Sequence, residues 1–96
     1  MDPFKTSDDI EKALASLGKL RIIRLLMREP NHAFTRYEIG KKTPLNSNDI
    51  KNNLKTLVEI GWVKEVTTQH LKKYSINLDN EVVSLLYNFF KQVRYV

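Results

Sequence analysis

The chain has 96 residues, 42% of them hydrophobic and 28% charged, and a formal net charge of +5 at pH 7. That length is one domain's worth of chain, and 16 Lys and Arg against 11 Asp and Glu suit a polyanionic partner such as nucleic acid. There is no cysteine, which excludes disulfides, thiolate metal sites and cysteine nucleophiles.

No apolar run approaches the roughly 20 residues of a membrane span, and the start Met1-Asp2-Pro3-Phe4-Lys5 has no signal-peptide core. A cytoplasmic protein with no membrane partner is expected. In chain order, Pro3 and the polar residues after it read as a lead-in, and Thr6 or Ser7 with Asp8 and Asp9 reads as a helix start. Ile10, Ala13, Leu14 and Leu17 follow at helical spacing. Gly18 weakens that run, while Ser16 caps a second helix bearing Leu20, Ile22, Ile23, Leu25, Leu26 and Met27, apolar on most sides and so buried. Pro30 with Asn31 ends it.

Thr35-Arg36-Tyr37-Glu38 is a capping box opening a short helix toward Lys42, which Pro44 cannot continue. Asn46 or Ser47 caps a fourth helix with Asp49 in its first turn, and Gly61 suits the left-handed position that ends it. Two short capped helices joined by a tight turn predict a helix-turn-helix over about residues 35–60. From Trp62 the period becomes extended, and strands over 62–67 and 72–76 predict a β-hairpin wing, with no glycine in its turn. Asp79 caps a last helix over about 79–95. The fold class expected is mainly α with a β-hairpin wing: a single winged helix-turn-helix domain spanning 1–96, of about five helices, with the terminal helices forming a dimer interface.

The faces of the fourth helix separate cleanly. With Ile50 inward, the 100° step puts Leu54, Leu57 and Val58 beside it and Asn48, Lys51, Asn52, Lys55 and Thr56 opposite. Asn pairs with adenine, Lys reaches guanine or phosphate, and hydroxyls serve either role. Ser47 and Asn48 sit where helix N–H groups favour a phosphate. His70, Lys72 and Lys73 on the wing, with Lys41 and Lys42 near the turn, are placed to grip the DNA backbone. A polar outer face alone also describes any soluble surface helix; the capped helix before it and the basic hairpin after it favour DNA. Tyr37 and Trp62 are potential base-stacking platforms, but both are expected in the core or at its rim. Val82, Leu86, Phe89, Val93 and Val96 alternate steps of four and three, a coiled-coil-like seam, with Val83, Tyr87 and Phe90 as an adjoining stripe. Two stripes on one helix predict a second buried face. The expected homodimer interface contains Ile10, Leu14, Val82, Leu86, Phe89, Phe90 and Val93, pairing first and last helices about a two-fold axis.

Leu20-Arg21-Ile22-Ile23-Arg24-Leu25-Leu26, Leu54-Lys55-Thr56-Leu57, Gly61-Trp62-Val63-Lys64 and Tyr74-Ser75-Ile76 resemble ArsR-type winged-helix repressors, and MarR-like regulators share the outline. The similarity covers about residues 14–76. It implies a recognition helix around 46–60, a wing around 67–73 and a small regulator of a kind that suits an archaeon or its viruses. Metal-sensing members use cysteines in the helix before the turn, or His and acidic ligands in the last helix. This chain has no cysteine and its last helix has no histidine, and His32 and His70 lie far apart in loops, so no metal or other cofactor is expected.

No phosphate-binding glycine loop, H-E-x-x-H or Ser-centred elbow is present, and three glycines build no cradle, so no enzymatic activity is expected. The function expected is a sequence-specific, double-stranded DNA-binding transcriptional regulator acting as a homodimer, recognition helix in the major groove and wing on the backbone. The alternatives are a winged-helix protein-interaction module of a larger assembly and a non-specific, chromatin-like DNA-binding protein.

Overall fold

A computed structural model describes the backbone of residues 3–96 and the side chains of residues 5–96; Met1 and Asp2, read above with the chain's start, lie outside the described residues. The order is α1 (Pro3–Leu14), α2 (Leu17–Arg28), α3 (Arg36–Lys42), α4 (Ser47–Glu59), β1 (Val63–Thr68), β2 (Leu71–Ile76) and α5 (Glu81–Gln92). The five helices and single antiparallel hairpin are those of the predicted fold class.

Most helix ends follow their sequence signals. Ser16 caps α2 by accepting from Lys19 N. Thr35 and Glu38 complete both halves of the capping box on α3, and Asn46 accepts from Asp49 N at the start of α4. Such caps are each worth about 1 kcal/mol. Gly61, at φ 79°, ends α4 with two backbone bonds, its own N–H to Val58 O and Trp62 N–H to Leu57 O, a Schellman turn that the missing Cβ makes cheap.

Three ends differ. α1 begins at Pro3, where a missing N–H costs nothing in a first helical turn, so Pro3 is no lead-in and Thr6 and Ser7 lie inside the helix. Asn80, not Asp79, caps α5 by accepting from Val83 N, while Asp79 turns to Lys64 Nζ at 2.8 Å. α5 stops at Gln92 rather than near 95: Arg94 adopts φ 62°, and Arg94 N–H to Lys91 O with Tyr95 N–H to Phe90 O makes a second Schellman turn without glycine. Val96 therefore does not continue the helical seam.

The core is centred on α2, whose Ile22, Ile23, Leu26 and Met27 are buried together with Ile50, Leu54 and Leu57 of α4. Ala13, Ile39, Val83 and the hairpin root (Val63, Tyr74, Ile76) complete it, with Trp62 and Phe34 as its largest rings. Truncating a fully buried Leu such as Leu54 to Ala costs about 2–5 kcal/mol. A Cβ at Gly18 would stand 2.5 Å from Asn53 Nδ2, so the glycine that weakens α2 as a helix leaves room for the Asn53 amide of α4.

In the hairpin, Val63 pairs with Ile76 and Thr68 with Leu71. The two-residue turn Gln69-His70 has φ values of 53° and 65°, the left-handed pair that a type I′ turn requires. Because strands alternate sides, Glu65, Thr67 and Lys72 continue the face that begins with Val63 and Ile76, whereas Lys64, Val66, Leu71 and Lys73 lie on the other.

Candidate nucleic-acid interface

α4 presents the polar surface the sequence suggests. Ser47, Asn48, Lys51, Asn52 and Lys55 are exposed and Thr56 is half-buried, its hydroxyl donating to Asn52 O at 3.4 Å. Glu59 lies on the same face, also exposed, a carboxylate the face reading left out. Asn46 and Asp49 start the helix, and Ile50, Leu54 and Leu57 are held in the core, so the outward face is fixed by what the inward face buries.

The wing is registered against this helix by a short backbone link. Phe34 N–H donates to Tyr74 O and Tyr74 N–H donates to Phe34 O, both at 2.7 Å, an isolated bridge that ties the chain entering α3 to the middle of β2. The capping box then sets Arg36 at the first turn of α3. The result is a hollow of about 240 Å³ where Arg36, Lys51, Lys55 and Lys72 meet, with Glu59 and Glu65 in the same lining. Lys72 Nζ stands 3.9 Å from Glu65 Oε1. The buried Tyr74 phenol is pushed above its usual range by desolvation first and the nearby Glu65 second, so it stays protonated at neutral pH.

On the other side of Arg36, a cleft reaches the wing turn and is lined by Tyr37, His70, Leu71 and Lys72. A groove of about 620 Å³ runs between Tyr37, Lys41 and the start of α4 at Asn46 and Ser47. Arg36 thus borders α4, the wing and the turn at once. Tyr37 is 71% exposed, with Lys41 Nζ 5.2 Å from its ring centre. The expectation that Tyr37 packs is corrected: α3 has seven residues and one buried position, Ile39, and two residues' separation puts Tyr37 on the opposite side of the helix. Trp62 is buried as expected.

The basic side chains named from the sequence divide into two groups. Lys41, Lys51, Lys55, His70 and Lys72 share clefts with Arg36. Lys42 turns instead toward α2, 3.7 Å from Glu29, and Lys73 lies half-buried on the outer face of the wing. Arg36 was overlooked because its place in the capping box looked purely structural; its position just after the cap, where a helix N-terminus and a cation coincide, was the available signal. Of the expected dimer residues, Leu14, Phe89 and Val93 are exposed, while Ile10, Val82, Leu86 and Phe90 pack partly buried against the chain's own core.

No protein-family model matches this sequence, and no curated protein matches it. Solved structures do. HlyU from Vibrio cholerae superposes with a TM-score of 0.76 at 16% identity, covering 97% of this chain and 97% of its own. An ArsR-family transcriptional regulator gives a TM-score of 0.69 at 16% identity, covering 99% of this chain and 94% of its own. The chain has the winged helix-turn-helix fold. A third winged helix of the same kind, the homodimeric DNA-binding domain of Mb0332 from Mycobacterium bovis, gives 0.69 at 23% identity over 98% of this chain and 87% of its own. At these identities the likeness fixes the architecture of this winged helix and leaves its contact residues to be argued from its own surface. Among the described residues, no helix is long and apolar enough to cross a membrane, and no group of three or more His, Asp or Glu is placed to hold a metal ion.

Proposed function

We propose that this chain is a DNA-binding transcriptional regulator that acts as a homodimer, with α4 in the major groove and the wing against the phosphate backbone. The observation that carries the reading is the outward face of α4, polar throughout and bordered by Arg36 and Lys72 in one hollow. Asn48, Lys51, Asn52 and Lys55 have the donors and acceptors to read base edges, and Ser47 and Thr56 flank them. Arg36, Lys41, His70 and Lys72 supply backbone contacts that position without reading sequence; Lys42 and Lys73 reach phosphates only at the margins of the site. The homodimeric Mb0332 domain supports pairing, and exposed Leu85, Phe89 and Val93 on α5 offer an apolar surface for it. The whole chain then works as one domain, helix-turn-helix over 35–60, wing over 62–76 and dimerisation helix α5 over 81–92, a cytoplasmic protein without catalytic activity.

A second reading, a protein-interaction module, draws on Val66 and Leu71, each 50% exposed on the outer face of the wing. Selection from random duplexes followed by sequencing separates the two. Enriched inverted half-sites about one DNA turn apart, roughly 34 Å, support the dimeric regulator. Binding without enrichment assigns the chromatin-like version, and no duplex affinity at low salt rejects DNA as the partner.

A further inference from the structure

α2 carries a second set of cations that the DNA reading does not use. Arg21, Arg24 and Arg28 recur at steps of three and four, which stacks them on one side of the helix. With Lys42 and the turn at Thr43 and Pro44, they line a hollow of about 100 Å³ whose lining contains no carboxylate. Among the described residues, none of the three arginines is in an ion pair. A solvated face of scattered charges needs no such convergence.

We propose that this hollow is an oxyanion site for a single phosphate group. Arg24 is held ready for it. Its Nε–H donates to Tyr95 O at 2.8 Å, and its guanidinium carbon lies 4.5 Å from the centre of the Tyr95 ring. The Schellman turn at Arg94 puts Tyr95 there, so the C-terminal residues orient an arginine whose terminal N–H donors stay available for a fork-like contact. Arg21 and Arg28 are exposed on either side. Lys42 is paired with Glu29 at 3.7 Å, both side chains half exposed, and stands 5.8 Å from the centre of the Phe34 ring; these are weak contacts that a doubly charged anion displaces. A hollow of this size, open to solvent and lined by four cations, has room for one phosphate group. The phosphate belongs either to a nucleic-acid backbone or to a free phosphorylated molecule, and the two give different results.

The test is an NMR titration of the full chain with inorganic phosphate, against chloride at matched ionic strength, observing arginine Nε–Hε signals. Saturable shifts at Arg21, Arg24 and Arg28 are expected with phosphate alone. The Arg21→Gln/Arg28→Gln variant weakens that binding at least tenfold, and Glu29→Gln, which frees Lys42, strengthens it. Shifts equal to those from chloride, or unaltered in the double variant, overturn the site. Duplex titrations of the same variant then assign the source: a salt slope lower by about two identifies a backbone phosphate, and an unchanged duplex affinity identifies a free phosphorylated molecule. The phosphate arm contains no DNA, so its outcome stands apart from that of the DNA reading.

Discussion

Phe34 and Tyr74 exchange both backbone hydrogen bonds at 2.7 Å while their side chains are buried in the same core. This one bridge couples the start of the helix-turn-helix to the wing, so the wing is rigid at its root and free at its tip. Native-state amide exchange is expected to protect Phe34 and Tyr74 to near the global unfolding free energy, while the Gln69, His70 and Leu71 amides exchange through local opening. Equal protection at root and tip counts against this division.

The hollow around Arg36 predicts that cations with similar charge act differently from the amides beside them. Arg36→Ala and Lys72→Ala each weaken duplex binding on all sequences and lower the salt slope by about one. Asn52→Ala costs about 1–3 kcal/mol on the preferred duplex alone. Lys73→Ala, on the opposite face of β2, leaves the slope nearly unchanged. A loss at Lys73 as large as at Lys72 removes the inner face of the wing from the interface.

How far the sequence carries is clear from particular residues. Thr35 with Glu38, Asn46, Ser16 and Gly61 are local signals satisfied within a few residues, so the helix ends they mark are legible without tertiary knowledge. Asp79 and Asn80 are both good caps, and the choice fell to Asn80 because Lys64, distant in sequence, takes Asp79. The turns at Gln69-His70 and Arg94 lack glycine and leave no mark in composition. For the site, periodicity separated the faces of α4 but does not say what stands beside them: the Phe34–Tyr74 bridge brings in Arg36, and strand alternation parts Lys72 from Lys73. On α5 the spacing found two apolar stripes without telling which one faces the chain's own core.

Glu38 links stability to pH. Its carboxyl is held below the usual glutamate range first by the hydrogen bond that His32 Nε2 donates at 3.0 Å, then by Thr35 N–H. A depressed carboxyl contributes stability that is full above its unfolded value and is lost as pH falls through the folded one. The side chain is 36% exposed, so water screens much of the effect. Urea unfolding of wild type and Glu38→Gln is expected to differ most at neutral pH, with the gap closing as pH falls below the usual glutamate range and through the depressed folded value. A gap independent of pH shows that Glu38 acts only as a neutral cap.

The wing turn stores strain where contact is proposed. Gln69 and His70 both occupy the left-handed region, which costs an ordinary residue about 1–2 kcal/mol, while Asn-Gly fits the same turn without strain. Gln69→Asn is expected to raise stability by up to about 1 kcal/mol and leave duplex affinity unchanged. His70→Gly also raises stability, yet weakens duplex binding because the imidazole is gone. Unaltered binding by His70→Gly assigns His70 to the turn alone.

The α5 surface separates association from folding. Val82 and Leu86 are partly buried against the chain's own core, whereas Leu85, Phe89 and Val93 are 63%, 55% and 54% exposed at steps of four. That exposed row is the surface proposed for a two-fold partner, and it includes Leu85, which the predicted seam did not. In a symmetric dimer each substitution counts twice. Burying the exposed half of a Leu or Phe side chain is worth about 1 kcal/mol per copy, and a glutamate in its place adds a desolvation cost of several kcal/mol. Leu85→Glu and Phe89→Glu should therefore weaken the dimer by at least about a hundredfold and sediment as folded monomers with little change in unfolding midpoint. Leu86→Ala should lower the midpoint and leave the two chains associated at concentrations where it remains folded. If Leu85→Glu and Phe89→Glu keep the wild-type mass, the row is not the dimer face.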